Sequence, residues 1–195
     1  NPHFLFNTLN AGMQLAMIEN AERTHVFLEN LSNLFRYNIQ PQYNRVTLKD
    51  EIRSVRHYAQ LMKVRYGDGI AFEFDIAPGL ESVVMPPLIL QPVIENGIIH
   101  GFANRLSNRR LQIRAYKAAG MAVIEVEDNG QGMPPETLEK LNNKEFRKSG
   151  ASESHTTGLG LENVHERLKS LGGTLSFESE WHRFTLVRIT LPLEV

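Results

Sequence analysis

The spacing of apolar residues changes once along the chain, near residue 70, and no other feature constrains the fold as much. Before that point apolar residues recur every three to four positions, the repeat of a helix face. After it they alternate in short runs, the repeat of a strand with one buried side. A helix from Pro2 carries Leu5, Leu9, Met13 and Ala16 on one face and His3, Asn7, Asn10 and Gln14 on another. A break is predicted near residues 18–20, with Asn20 as N-cap of a second helix. That helix carries Phe27, Leu31, Leu34 and Phe35 and stops before Pro41. A third is predicted after Thr47, with Asp50 and Glu51 in its first turn. Its apolar residues Leu48, Ile52, Val55, Ala59 and Met62 step by 4, 3, 4 and 3, a coiled-coil seam. So few helices cannot close a bundle, so their seams are expected to pack across a homodimer.

Beyond residue 70, Ile70–Ile76, Leu111–Tyr116, Met121–Glu127, Thr174–Glu178 and Phe184–Leu191 read as strands. Helices are predicted at about Pro87–His100, Pro135–Leu141 and Leu161–Leu171, the last closed by Gly172-Gly173. Tight turns such as Ala119-Gly120 join consecutive strands. The pattern predicts an α+β sandwich, with helices on one face of a mixed sheet. Residues 142–158, rich in Lys, Ser, Gly, Asn and Thr, read as a mobile loop. The expected division is a helical region over 1–68 and a sheet domain over 69–195.

Composition removes whole classes of function. Lys+Arg 21 against Asp+Glu 22 leaves a net charge of −1, so no basic field draws nucleic acid or an acidic membrane surface. With no cysteine there is no disulfide framework, thiolate metal site or thiol nucleophile. No run of about 18 apolar residues reads as a membrane span. The chain opens on Asn1 with no signal-peptide pattern, and the expectation is a cytosolic piece of a longer protein.

Four short segments carry candidate chemistry. Asp128-Asn129-Gly130-Gln131-Gly132 follows a strand; its glycines let backbone approach a flat ligand while the carboxylate accepts from an exocyclic amine. Alone it reads first as a plain turn, since Asp-Asn-Gly is among the commonest turn sequences. Gly158-Leu159-Gly160-Leu161 opens a helix, where unpaired amides suit phosphate, although short glycine motifs also serve as simple helix entries. Glu95, Asn96 and His100 are polar positions in an apolar helix; Asn96 and His100 share a face, suited to a Mg²⁺ ion that takes few protein oxygens or to solvent. His3 sits in Asn1-Pro2-His3-Phe4-Leu5-Phe6-Asn7. The other histidines, His25, His57, His155, His165 and His182, share no metal-ligand spacing.

Taken in order, these segments resemble the sensor histidine kinases of the LytS/YehU type. Asn1–Asn7 is similar to that family's phosphoacceptor box and Pro86–Gly101 to its N-box. Asp128–Gly132 and Gly158–Leu168 are similar to its two glycine boxes, and Leu31–Tyr37 and Tyr58–Tyr66 to the linking segments. The resemblance implies a Bergerat-type (GHKL) ATP-binding domain joined to dimerising, phosphoacceptor helices. It implies that Asp128 accepts the adenine amine and that Asn96, with His100 near it, holds Mg²⁺ against the phosphates. Gly130, Gly132, Gly158, Leu159, Gly160 and Leu161 would shape the pocket and a lid over residues 133–157. His3 would take the γ-phosphoryl group, with Glu95 as base or Asn7 orienting the ring, and pass it to an aspartate of a response regulator, often of the LytTR type. The acid usual after the phosphoacceptor is here Phe4, the position four before Asn96 is Pro92, and Glu180-Trp181-His182-Arg183 replaces the Gly-Thr usual before the last strand. The implied setting is the cytoplasmic part of a bacterial membrane sensor, this piece touching neither membrane nor nucleic acid. Two other readings stand beside the kinase: an ATP-binding dimeric signalling module without phosphotransfer, and an ATP-driven clamp.

Overall fold

The computed structural model describes residues 1–39, 45–103, 107–145 and 157–193, with only the backbone for 157–159. Helices α1 (Pro2–Ile18) and α2 (Glu22–Ile39) form a hairpin. Asn20 does not cap α2. It takes φ 55° as the left-handed residue that ends α1, where Asn20 N–H donates to Met17 O and Ala21 N–H to Ala16 O. Asparagine tolerates that conformation as glycine does, which is why one residue type signals both a start and a stop. His25 Nδ1 meets Met13 O at 3.2 Å across the hairpin. His57 Nδ1 meets Asn30 Oδ1 at 2.8 Å, pinning α3 (Leu48–Tyr66) to α2. Both histidines are tertiary pins.

Helix α3 begins after Thr47 as predicted, and Thr47 caps it, its hydroxyl accepting from Asp50 N–H while Asp50 accepts from Thr47 N–H. The seam of α3 is covered by its own chain. Leu48, Ile52 and Val55 are buried in one core with Ile70, Leu80, Met85 and Leu90. The seam therefore needs no second copy, contrary to the expectation from its spacing. Exposed apolar residues gather on the hairpin, at Phe4, Leu15, Met17, Ile18 and Val26, with others at Val64, Ile99, Tyr116 and Trp181.

The sheet contains β2 (Ile70–Ile76), β4 (Arg109–Ala118), β5 (Met121–Asp128), β6 (Thr174–Glu180) and β7 (Phe184–Pro192), in the order β2-β4-β5-β7-β6. The β2–β4 pair is parallel and the others antiparallel, giving the mixed sheet expected. Ala119 and Gly120, at φ 49° and 75°, make the β4–β5 turn. Two further strands, β1 (Val46–Thr47) and β3 (Val84–Met85), pair with each other and are too short to leave a periodic signal.

One sheet face carries the core. Leu111, Ile113, Ile124, Val126, Leu175 and Ile189 pack under α4 (Leu90–Asn96) and α6 (Thr157–Lys169). The other face is closed by charge. Glu73, Arg110, Glu127, Arg114, Glu125, Arg188 and Glu178 make a ladder of ion pairs across all five strands. Glu125, the buried member, also accepts from Tyr116. These pairs give the open face a solvated surface that resists sticking to another sheet.

Candidate nucleotide site

The site is built where the end of α4 meets the end of β5. The predicted Pro87–His100 helix is shorter and in two parts, α4 and a π-helical turn over Gly97–Gly101. Its start is set from outside. Glu51 on α3, only 1% exposed, accepts N–H bonds from Leu88 (2.7 Å), Ile89 (2.9 Å) and Leu90 (2.8 Å), and an O–H bond from Tyr37 on α2. A carboxylate there meets the positive end of the helix and fills its orphan donors. Burial pushes the Glu51 carboxyl up, and the four donors pull it down. Leu88 takes φ 58° to turn its amide toward Glu51, and Pro92 fits because the first turn needs no N–H from it. The sequence placed Glu51 in a first turn as a dipole acid; its three amide partners lie 37 to 39 residues away, beyond any local pattern.

At the other end of this segment, Asp128 closes β5. It is 5% exposed, and among the described residues its one hydrogen bond is from Gly130 N–H to Oδ1, at 2.9 Å. Burial is the main cause that pushes its pKa from 3.8 up to about 7; Gly130 N–H opposes this and Glu127 adds to it. Glycine is required around this carboxylate. A Cβ on Gly101 would stand 2.5 Å from Asp128 Oδ1, and one on Gly130 would stand 2.2 Å from Gly101 O. Gly132, at φ 66°, leaves no room either, since its Cβ would lie 2.1 Å from Glu180 O. The turn is fastened on every side. Gln131 N–H donates to Gly101 O, Gln131 Nε2 to His100 O, and His182 N–H to Gln131 O. Gly97 and Gly101, which the reading of the sequence gave no role, are thus what lets the π turn lie against Asp128. Thr185, buried on the neighbouring strand, stands opposite Asp128.

Asn96 is half-buried at the C-terminal end of α4, and its Nδ2 is buried without a hydrogen-bond partner among the described residues. Glu95 accepts from Gln91 Nε2 at 2.8 Å. Burial holds the His100 ring below its ordinary pKa, favouring neutral imidazole at neutral pH. Among the described residues no cluster of three His, Cys, Asp or Glu side chains could hold a metal. A Mg²⁺ ion that takes one amide oxygen and fills the rest of its shell with phosphate and water fits this donor set.

The second glycine segment lies inside α6, which begins at Thr157, four residues before the predicted start. Gly158 and Leu159 side-chain surroundings fall outside the described residues. Gly160 packs loosely, its Cβ position 3.7 Å from Pro92 Cβ, and Leu161 is a core residue. Of the expected loop and lid, residues 146–156 and with them His155 are outside the described part. The portion before them is anchored: α5 (Pro135–Asn142) ends in Asn142, whose amide both donates to Phe177 O and accepts from Phe177 N–H on edge strand β6. Lys144 Nζ donates to Leu175 O, and Met133 N–H to Ser179 Oγ.

His3 is exposed on α1, its Nδ1 3.2 Å from Asn7 Nδ2. Among the described residues its ring bonds to no group of the sheet domain. The structure therefore assembles two stations, His3 with Asn7 on α1 and Asn96 with Asp128 and the glycines at the sheet, and leaves them apart.

Comparison with known proteins places the chain in a family. Residues 1–70 match the histidine kinase family, and residues 86–195 match the histidine kinase-, DNA gyrase B-, and HSP90-like ATPase family. The chain is 36% identical over 196 residues to the sensor protein LytS of Staphylococcus saprophyticus, covering 98% of this chain and 32% of that protein. It is 32% identical over 195 residues to the sensor histidine kinase YesM of Bacillus subtilis, with 98% and 32% covered. The chain thus spans about a third of the length of these relatives. In structure it is similar to the histidine kinase domain of a blue-light activated histidine kinase from Erythrobacter litoralis, at TM-score 0.56 and 19% identity, covering 98% of this chain and 96% of that one. That last likeness speaks for the fold alone.

Proposed function

The chain belongs to the histidine kinases and is a catalytic core of the LytS type. From that premise we propose that it binds ATP between α4, the Asp128 turn and the start of α6, and transfers the γ-phosphoryl group to His3. The carrying observation is Asp128: a carboxylate almost fully buried, held by a single N–H and walled by glycines that exclude every side chain. Such a group has acceptor capacity left for the exocyclic amine of adenine.

Asn96 is the residue proposed to hold Mg²⁺ against the phosphates through Oδ1, and its unpartnered Nδ2 is a donor suited to a phosphate oxygen. When bound, Mg²⁺ neutralises charge that develops on the phosphoryl oxygens. Gly158 and Gly160 on the first turn of α6 would leave amides open to phosphate. On α1, Asn7 Nδ2 stands 3.2 Å from His3 Nδ1 and is the proposed group that orients the ring. The Nε2–P bond forms as the bond from phosphorus to the departing ADP oxygen breaks. Glu95, oriented by Gln91, is the proposed acceptor of the proton released. His3 faces no group of the sheet site in this arrangement, so transfer needs the hairpin to move against the sheet or a second copy to supply one of the two stations. Phe4, Leu15, Met17 and Ile18, exposed on α1, support a homodimer. Among the described residues no helix is long and apolar enough to cross a membrane. We read the chain as the cytoplasmic portion of a bacterial membrane sensor that hands its phosphoryl group to a response regulator, one with a LytTR domain being the expectation.

The test is label transfer from γ-labelled ATP with Mg²⁺, comparing the unaltered chain with His3→Gln. Acid-labile, base-stable label that disappears in His3→Gln is expected. ATP binding without label would instead favour an ATP-responsive module that transfers nothing.

A further inference from the structure

Glu51 joins three helices that the proposed chemistry treats separately. Its Oε1 takes the Tyr37 hydroxyl of α2 and Leu88 N–H; its Oε2 takes Ile89 and Leu90 N–H. It thereby fixes the N-terminus of α4, the helix whose last residue is Asn96. Seven residues of helix span about 10 Å and bend little, so a shift at Leu90 is carried to Asn96 rather than absorbed. The carboxylate itself is buried away from solvent and its partners are all donors. Its geometry thus has one setting while α2, α3 and the α4 entry stay in place.

We propose that Glu51 is a positioning residue for the Mg²⁺-dependent part of the nucleotide site, and that Tyr37 makes the position of α2 part of that setting. The inference rests on the reading of Asn96 as the residue near the metal. It assigns to the helical hairpin, which carries His3, a mechanical line to the nucleotide: Tyr37 on α2, Glu51 on α3, the Leu88–Leu90 amides, then Asn96. Movement of α2 that withdraws the phenol relaxes the cap, and a nucleotide that locks Asn96 tightens it.

Glu51→Gln places a donor NH₂ where two backbone donors, or one backbone donor and the phenol, already point. Tyr37→Phe is the gentler variant, removing one hydroxyl and leaving volume and all three amide bonds. ADP affinity is measured by calorimetry for both variants, once with Mg²⁺ and once with EDTA, alongside thermal melting. Glu51→Gln is expected to weaken ADP about tenfold or more with Mg²⁺ and less than about threefold in EDTA. Tyr37→Phe is expected to show the same split at about threefold, with an unchanged melt. Equal losses with and without Mg²⁺, or no loss in Tyr37→Phe, overturn the proposal and leave Glu51 a folding residue; Tyr37→Phe decides alone if Glu51→Gln does not fold. Absence of ADP binding by the unaltered chain would overturn the nucleotide reading itself, a failure distinct from loss of the split.

Discussion

The segment from Leu88 to Gly101 has a buried carboxylate at each end, and the two are satisfied very differently. At the start, Glu51 receives four hydrogen bonds, three of them from backbone amides. At the finish, Asp128 receives one, from Gly130, and the nearby positions are glycines that let backbone pack directly against the carboxylate without adding a donor from a side chain. Equal burial therefore carries opposite meanings. A buried acid whose acceptors are used up holds the fold together, whereas one with acceptors to spare costs the fold and favours an added ligand. The burial penalty that lifts Asp128 to about 7 is that cost expressed as a proton affinity.

The comparison is open to attack from both ends. The largest effect is expected from Glu51→Ala, which strands three buried amides and a hydroxyl; denaturant unfolding should show a loss of about 3–5 kcal/mol. A loss below about 1 kcal/mol would mean that water replaces the carboxylate and the contrast fails.

Asp128→Asn should act in the opposite sense on the fold. The folded pKa of Asp128 lies above its unfolded value, so its contribution is present below about pH 4 and is lost as pH rises through about 7. The neutral amide escapes that loss. At pH 8 the variant should be the more stable protein, by on the order of 2 kcal/mol, with the difference vanishing near pH 4. Its ATP affinity should fall about a hundredfold, because an amide nitrogen toward adenine opposes donor to donor. Unchanged affinity would remove Asp128 from the site, and a flat difference between pH 4 and 8 would contradict its burial.

Gly130→Ala puts a methyl into Gly101 O and should cost roughly 2 kcal/mol, together with nucleotide affinity. Gly160→Ala is the small one. Its Cβ meets only Pro92 at ordinary distance, so stability should hold or rise by up to about 1 kcal/mol. A drop in ATP affinity in that stable variant would then report a ligand at the α6 entry, and unchanged affinity would confine the site to the Asp128 end.

The sequence by itself determined the longer elements and the family. The strands over Ile70–Ile76 and Met121–Glu127, the helix start after Thr47 and the Gly172 stop are local effects, and each appears where its pattern placed it. The boxes around His3, Asn96 and Asp128 were legible because each is contiguous in the chain. Tertiary structure decided what lies between distant segments. Asn20 could start or stop a helix, and the backbone hydrogen bonds of Ala21 settled it. The α3 seam had the spacing of a dimer contact, yet the sheet domain of the same chain covers it, since periodicity states that a face is buried but not against what. Glu51 looked like any acid in a first turn, and only the fold brings its carboxylate to amides 37 residues on. Local patterns record the energy a residue exchanges with its neighbours in sequence; the partners that satisfy a buried charge are chosen by packing, and packing is written in three dimensions.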